Sequence, residues 1–297
     1  MTRCTSERSN NSPLIPVSLT DDLPITILPL TLTIDGRTFR EGVDLTSEEF
    51  YRMLPSIKGT PQTAMVTPHD FAQQYCDLFD RGAKGIVVIP LSSKISGTFD
   101  SAVVTTQEFP GAPIEVIDSA QISMAHGWQV VVAGRAARAG LPLKKVVEAA
   151  LQVKQRCHVL FMVETLDYLY KGGRISGVAH LVGTILRFKP IIQMRDGRME
   201  LASKVRSRRA GFEEMDLIVD RILEGTQVAE IAMIDAGGKE LNEEMSNFFA
   251  QHLGIPRDRF ISASASAVIG AHSGPNTCGP NFYTAVPGFP DGVVCFA

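Results

Sequence analysis

Cysteine is sparse and carries no pattern: Cys4, Cys76, Cys157, Cys278 and Cys295 are odd in number, widely scattered and include no C-x-x-C. This excludes the usual zinc-ribbon and dithiol motifs and fits a reducing, cytoplasmic compartment. Cys76 and Cys157 fall in periodic apolar segments and read as small core residues. The histidines (His69, His126, His158, His180, His252, His272) show no metal-ligand spacing. The chain has no G-x-G-x-x-G, no G-x-x-x-x-G-K and no D-x-D, so nucleotide binding is unsupported. A G-x-S-x-G nucleophile elbow is also missing. No apolar run approaches the ~20 residues of a membrane span. The first segment, M-T-R-C-T-S-E-R-S-N-N-S-P, lacks the apolar stretch of a signal peptide, and residues 1–13 are expected to fray. Formal net charge is -3 and the one basic cluster is K-V-R-S-R-R at 204–209, so nucleic acid is not an expected partner.

With 297 residues, of which 44% are hydrophobic and 21% charged, the chain exceeds what one core usually organises, and two globular domains follow. Residues 25–33 are β-rich, and Asp35-Gly36 offers a tight turn into a short strand at 37–39. Thr46-Ser47-Glu48-Glu49 marks a helix start. Pro68 opens another helix, to 79. Short β-branched runs at 85–90 and 114–117 read as strands buried on both faces, with a helix at 99–109 between them. Helices at 122–139 and 142–155 follow. This rhythm predicts a mostly parallel sheet flanked by helices over residues 14–157. A second, mixed α/β domain covers 158–297. It has a strand at 158–163, a helix at 165–170 stopped by Gly172-Gly173, and a hairpin around Asp196-Gly197. The alternation continues with helix 208–223, strand 228–234, helix 239–252 and strand 259–262. The Gly-, Pro- and Asn-rich remainder reads as irregular until Val293-Val294, a possible edge strand.

Four segments place small, hydroxylated or charged residues just after apolar strands or at helix ends, where ligands bind in open α/β sheets. In Leu91-Ser92-Ser93-Lys94-Ile95-Ser96-Gly97-Thr98, Gly97 permits close backbone approach and the next helix presents free N–H groups. A capped helix start is the plain alternative. In 61–68, Thr67 before Pro68 is an N-cap, and Thr63 is either a turn residue or a ligand contact. Arg174, after Gly172-Gly173, suits a carboxylate or phosphate, or is simply solvated. His272 lies in what reads as a Gly-rich loop, 270–276, and could donate to an anion or have no role.

Taken in order, these segments resemble the DegV family of fatty-acid-binding proteins. The matching pattern runs from Asp22-Leu23-Pro24 and Pro29-Leu30 through Thr63 to L-S-S-x-x-S-G-T-x-x-S-A at 91–102. It continues with Ile117-Asp118-Ser119, T-L-x-Y-L-x-K-G-G-R-I-S at 165–176, Lys189-Pro190-Ile191 and G-x-H-x-G-P at 270–275. Four departures stand out. Thr63-Ala64-Met65-Val66 replaces a T-S-x-P-like loop, and Ser18-Leu19-Thr20-Asp21 stands for T-D-S. The Pro24–Pro29 spacing is short, and Asn276 replaces a glycine.

The resemblance implies a two-domain fold with an acyl tunnel reaching into the N-terminal domain. It implies a long-chain fatty acid as ligand, its carboxylate held by Thr63, Ser96, Gly97, Thr98 and His272, with no cofactor and no metal. It further implies a fatty acid kinase as partner, to which the acid is presented for acyl-phosphate formation, with Arg174 and Arg206 contacting the phosphate or the partner. Burying ten methylenes is worth a gross ~8 kcal/mol, so the head group needs orientation more than affinity. The rival expectation is a self-sufficient acyl hydrolase or transferase using Ser96 and His272, with Asp118 orienting the histidine. Phosphotransfer of the dihydroxyacetone type rests on fold analogy alone.

Overall fold

The computed structural model describes residues 2–6, 15–175 and 188–285. The first half contains β1 (Thr2–Ser6), β2 (Ile25–Ile27), β3 (Thr31–Ile34), β4 (Arg37–Arg40), α1 (Ser47–Met53), β5 (Gln62–Ala64) and α2 (Pro68–Asp80). It continues with β6 (Gly85–Val88), α3 (Thr98–Thr106), β7 (Ile114–Val116), α4 (Ser123–Arg138) and α5 (Leu143–Lys154). The second half contains β8 (Cys157–Met162), α6 (Asp167–Lys171), β9 (Lys189–Arg195), β10 (Arg198–Val205), α7 (Arg208–Ile222) and β11 (Val228–Asp235). Then come α8 (Lys239–Leu253), β12 (Phe260–Ser264), α9 (Ala267–Ser273) and β13 (Cys278–Thr284). No helix among the described residues is long and apolar enough to cross a membrane.

Local chemistry accounts for most of these boundaries. Thr46 and Glu49 form a reciprocal capping box at α1, and Thr67 with Asp70 does the same at α2, where Pro68 sits in the first turn. Asp35 and Gly36 both have positive φ, as a two-residue hairpin turn between β3 and β4 requires. β3 alternates, burying Leu32 and Ile34. β6 is apolar and buried throughout, as a central parallel strand should be.

The first half holds a four-stranded parallel sheet, β2-β1-β6-β7, and a separate three-stranded antiparallel sheet, β4-β3-β5. Two expectations are corrected here. Part of the supposedly frayed start, Thr2–Ser6, is β1, hydrogen-bonded between β2 and β6. A polar segment can occupy that place because the ladder is made by backbone groups, which must be paired in either case. Cys76 is exposed, on the outer side of α2, whose buried face is Phe71, Tyr75 and Leu78.

The second half holds a six-stranded sheet, β10-β9-β8-β13-β11-β12, antiparallel except for β11 with β12. The expected irregular tail instead supplies α9 and β13, the latter between β8 and β11; Val293-Val294 lies outside the described residues. Gly279 and Pro280 disguise this strand. The β13–β8 ladder pairs Cys278 with Met162 and Asn281 with Val159 but leaves a gap between, where proline has no N–H to give.

The four-stranded and six-stranded sheets meet across α4. Its residues are buried almost all round, and it packs against β1 on one side and β8 and β13 on the other. Trp128, fully buried, donates from Nε1 to the Asn281 carbonyl at 3.3 Å and lies against Tyr283. The main hydrophobic cluster is continuous from Val87 and Ile117 through Trp128 to Val159 and Ile234. Apolar helices of this kind need partners on all faces, and α4 has them.

Candidate functional site

A cavity of about 400 Å³ opens between the two halves, within the range of small-molecule sites. Its walls are mainly apolar: Leu30, Leu91 and Ile95 from the first half, with Val159, Phe161 and Ile234 from the second. Its polar lining includes Thr63 on β5, Ser96 in the segment after β6, Arg174 just after α6 and His272 on α9.

His272 sits on α9, not in an open loop. Ser266 caps this helix by accepting from the Ile269 N–H, and Gly270 faces Tyr51 so closely that a Cβ would stand 2.5 Å from the Tyr51 hydroxyl. Small residues let α9 pack tightly, which composition alone reads as a loop. His272 Nε2 lies 2.8 Å from Thr63 Oγ1, joining α9 to β5. Burial first, then the nearby charge of Arg174, lowers the His272 pKa to about 4, so the ring is neutral at pH 7. Its buried Nδ1 has no hydrogen-bond partner among the described residues. It faces Gly172, where a Cβ would stand 2.3 Å away.

Ser96 Oγ is 2.9 Å from Thr98 Oγ1 and accepts from the Thr98 N–H at 3.3 Å. α3 starts at Gly97 without a side-chain cap, which leaves the helix start able to receive an anion. Thr98 is fully buried, and its hydroxyl pairs with that of Ser96. Arg174 is set by a C-terminal motif on α6: Gly173 has φ +67, and the Arg174 N–H reaches back to the Leu169 carbonyl. The guanidinium donates to the Gly172 carbonyl and has no carboxylate partner among the described residues. Arg206 does not line the cavity; it is exposed, with its guanidinium over the Phe188 ring. Ser176, the end of the glycine-pair motif, lies outside the described residues.

Among the described residues, Ser96, His272 and Asp118 are not joined in one hydrogen-bonded chain. Ser96 bonds to Thr98, and His272 to Thr63. The Asp118 carboxylate is occupied by the Ser93 hydroxyl at 2.6 Å and the Ser93 and Ala120 N–H groups. Asp118 therefore shapes the loop and does not orient His272. Asp235, Ser273, Thr277 and Asn281 also line the cavity and were missed from sequence. An acid at a strand end, in Ile234-Asp235-Ala236-Gly237-Gly238, was an available signal for the first; the others sat in the segment read as irregular. No group of acidic, histidine or cysteine residues among the described residues could hold a metal ion.

The site is an apolar chamber between two α/β units, lined also by hydroxyls, one neutral imidazole, a guanidinium and the Asp235 carboxylate, a surface of mixed character. Comparison with known proteins then places the chain: a model described as "Uncharacterised protein, DegV family" matches residues 14–285. This protein belongs to the DegV family. It is 33% identical to a DegV domain-containing protein of Caldanaerobacter subterraneus subsp. tengcongensis, over 90% of this chain and 94% of the relative. It is 31% identical to one of Streptomyces coelicolor, over 94% and 98%. Among solved structures, a DegV family protein of Thermus thermophilus, described as fatty acid binding, superposes with a TM-score of 0.86 at 26% identity, covering 96% of this chain and 99% of that one. A fatty acid binding DegV family protein of Streptococcus agalactiae shares the fold, with a TM-score of 0.85 at 22% identity over 95% and 98%.

Proposed function

We propose that this protein binds a long-chain fatty acid, with the carboxylate at Thr63, Ser96, Gly97 and His272 and the chain in the cavity between the halves. The observation that carries this reading is the cavity itself, walled mainly by apolar side chains with Thr63, Ser96 and His272 on its lining. A neutral histidine and hydroxyls suit a carboxylate that must stay chemically available, since a tight buried ion pair would mask it. The acid is then presented to a separate fatty acid kinase, and Arg174, unpaired with any described carboxylate and held by the α6 terminus, meets the incoming phosphoryl group. The family of solved relatives described as fatty acid binding supports the ligand; the presentation step rests on the disposition of Arg174.

Lipid extraction of protein purified from a bacterial host, followed by mass spectrometry, tests the first part: a saturated or monounsaturated acid should be recovered intact. Protein free of lipid that also ignores added palmitate overturns it. Ser96→Ala should weaken palmitate binding about tenfold or more, the loss of one hydrogen bond to a charged group of ~1.5–3 kcal/mol. Unchanged affinity moves the head group elsewhere. With His272 already neutral at pH 7, His272→Ala should weaken binding without adding pH dependence between 6 and 8.

Gly172→Ala tests the same geometry indirectly. The added methyl meets the imidazole, and the ring must turn away from Thr63. Palmitate affinity should fall by a similar order as in Ser96→Ala, while melting changes little because the site is at a helix end. A wild-type affinity would show that His272 needs no fixed pose. Arg174→Ala should keep palmitate binding and lose acyl-phosphate formation with the host's kinase; parallel loss of both would place Arg174 on the carboxylate.

A further inference from the structure

The turn between β9 and β10, Asp196-Gly197, reads from sequence as a chain reversal and nothing more. Both residues have positive φ, as such a turn needs. In the fold the two carbonyls are captured by the segment that leads to Ser96. The Ser92 hydroxyl, fully buried, donates to the Gly197 carbonyl at 2.7 Å, and Lys94 Nζ donates to the Asp196 carbonyl at 2.6 Å. The fit is close, since a Cβ on residue 197 would stand 2.7 Å from Ser92 Oγ.

Ser92 is also the anchor of its own loop. Its carbonyl accepts from the Ile95 and Ser96 N–H groups at 3.1 Å, its N–H donates to the Gln121 carbonyl at 2.9 Å, and its Oγ accepts from the Lys94 N–H at 3.3 Å. Whatever fixes Ser92 fixes Ser96 four residues later. The same hairpin reaches the other side of the site. Met199, near the start of β10, lines the cavity and bridges Ile175, which follows Arg174.

We infer that Ser92 and Lys94, clasping the Asp196-Gly197 turn, are positioning residues for the Ser96–Gly97 head-group loop. The C-terminal hairpin thereby sets how well the site distinguishes a carboxylate from a neutral head group. This inference rests on the fatty-acid reading above. Neither residue touches the ligand: Ser92 acts through the Ser96 backbone, and Lys94 through the turn. A clasp that merely joined the two halves would affect all ligands alike.

The test uses the full chain and two ligands of equal length, hexadecanoic acid and hexadecan-1-ol, titrated calorimetrically from cyclodextrin. Wild type should prefer the acid. Ser92→Ala should lose about tenfold in affinity for the acid, the scale of one lost charge-assisted contact, and under about twofold for the alcohol. Lys94→Met, on an exposed side chain whose loss leaves the core intact, should shift the same ratio by a few fold, and Lys94→Arg should restore it. If Ser92→Ala does not fold, the lysine pair carries the test. Equal weakening for both ligands, or no change in either variant, overturns the inference while leaving fatty-acid binding in place. A wild-type protein that binds neither ligand overturns the fatty-acid reading and this inference with it.

Discussion

Replacing Gly279 by alanine is expected to abolish folding, although the change adds one methyl group. A Cβ at this position would lie 2.0 Å from the Leu160 carbonyl oxygen and 2.6 Å from the Phe161 Cα. Both are backbone atoms of β8, which β13 flanks, so no side chain can turn aside. Relief requires pushing β13 away from β8, and β13 is also paired along its length with β11. The six-stranded sheet would open at its middle and expose both of its faces. Effects beyond about 4 kcal/mol are exceptional for single substitutions and arise from clashes of this kind. Native stabilities of roughly 5–15 kcal/mol leave little after such a loss. Soluble expression and a cooperative thermal transition are the measurements. A Gly279→Ala protein melting within a few degrees of wild type would mean that β13 sits farther from β8 than described.

The second large effect is loss of stability in mild acid. Three histidines are held neutral by burial: His126, against the Ile89 carbonyl, His158, beside Phe282, and His272 have pKa values lowered from 6.5 to about 4. For the last, Arg174 adds to burial. The unfolded chain takes up protons on these rings near pH 6.5 and the folded one does not. Their contribution is therefore complete above pH 6.5 and lost as pH falls toward 4. Moving one histidine from 6.5 to about 4 is worth on the order of 3 kcal/mol. Glu41 works the other way. Burial raises its pKa from 4.5 to about 7, against the bond it accepts from the Val268 N–H, so it favours the folded state at lower pH. Burial raises the Asp216 carboxyl in the same direction, and two carboxyls against three imidazoles leave the histidines dominant. Urea midpoints should fall steadily from pH 7 to pH 5, and His158→Phe, which removes one of the rings, should flatten the slope. A flat wild-type profile would mean that the rings are charged, and hence hydrated, in the folded state.

How much of this was legible follows the physics of each segment. Helix starts with side-chain caps at Thr46 and Thr67, and the buried β-branched strand β6, declare themselves through local chemistry. The loop after β6 was visible for the same reason, since Ser96, Gly97 and an adjoining helix start lie together in the chain. His272 was found as a residue but misplaced, because a helix made small for packing against Tyr51 has the composition of a loop. β13 was hidden by Gly279 and Pro280, residues chosen by a close backbone approach that has no local signature. Thr2–Ser6 and Cys76 failed in opposite directions: backbone pairing rescued a polar segment, and a periodic apolar helix still has an outer face. The Ser92–Gly197 contact spans more than a hundred residues, and no periodicity encodes it.

α4 constrains how a ligand can arrive. Because the helix serves as inner wall to the four-stranded and six-stranded sheets at once, swinging the halves apart would bare Trp128 and the residues around it to water. The energetic cost of such a motion is that of unfolding a core, so a gaping, jaw-like state is closed to this architecture. The shorter pieces on the cavity lining, β5, α9 and the segment before α3, are then the parts left to move aside for a ligand. Exchange rates should then respond to changes in those pieces and be indifferent to viscosity acting on the molecule as a whole.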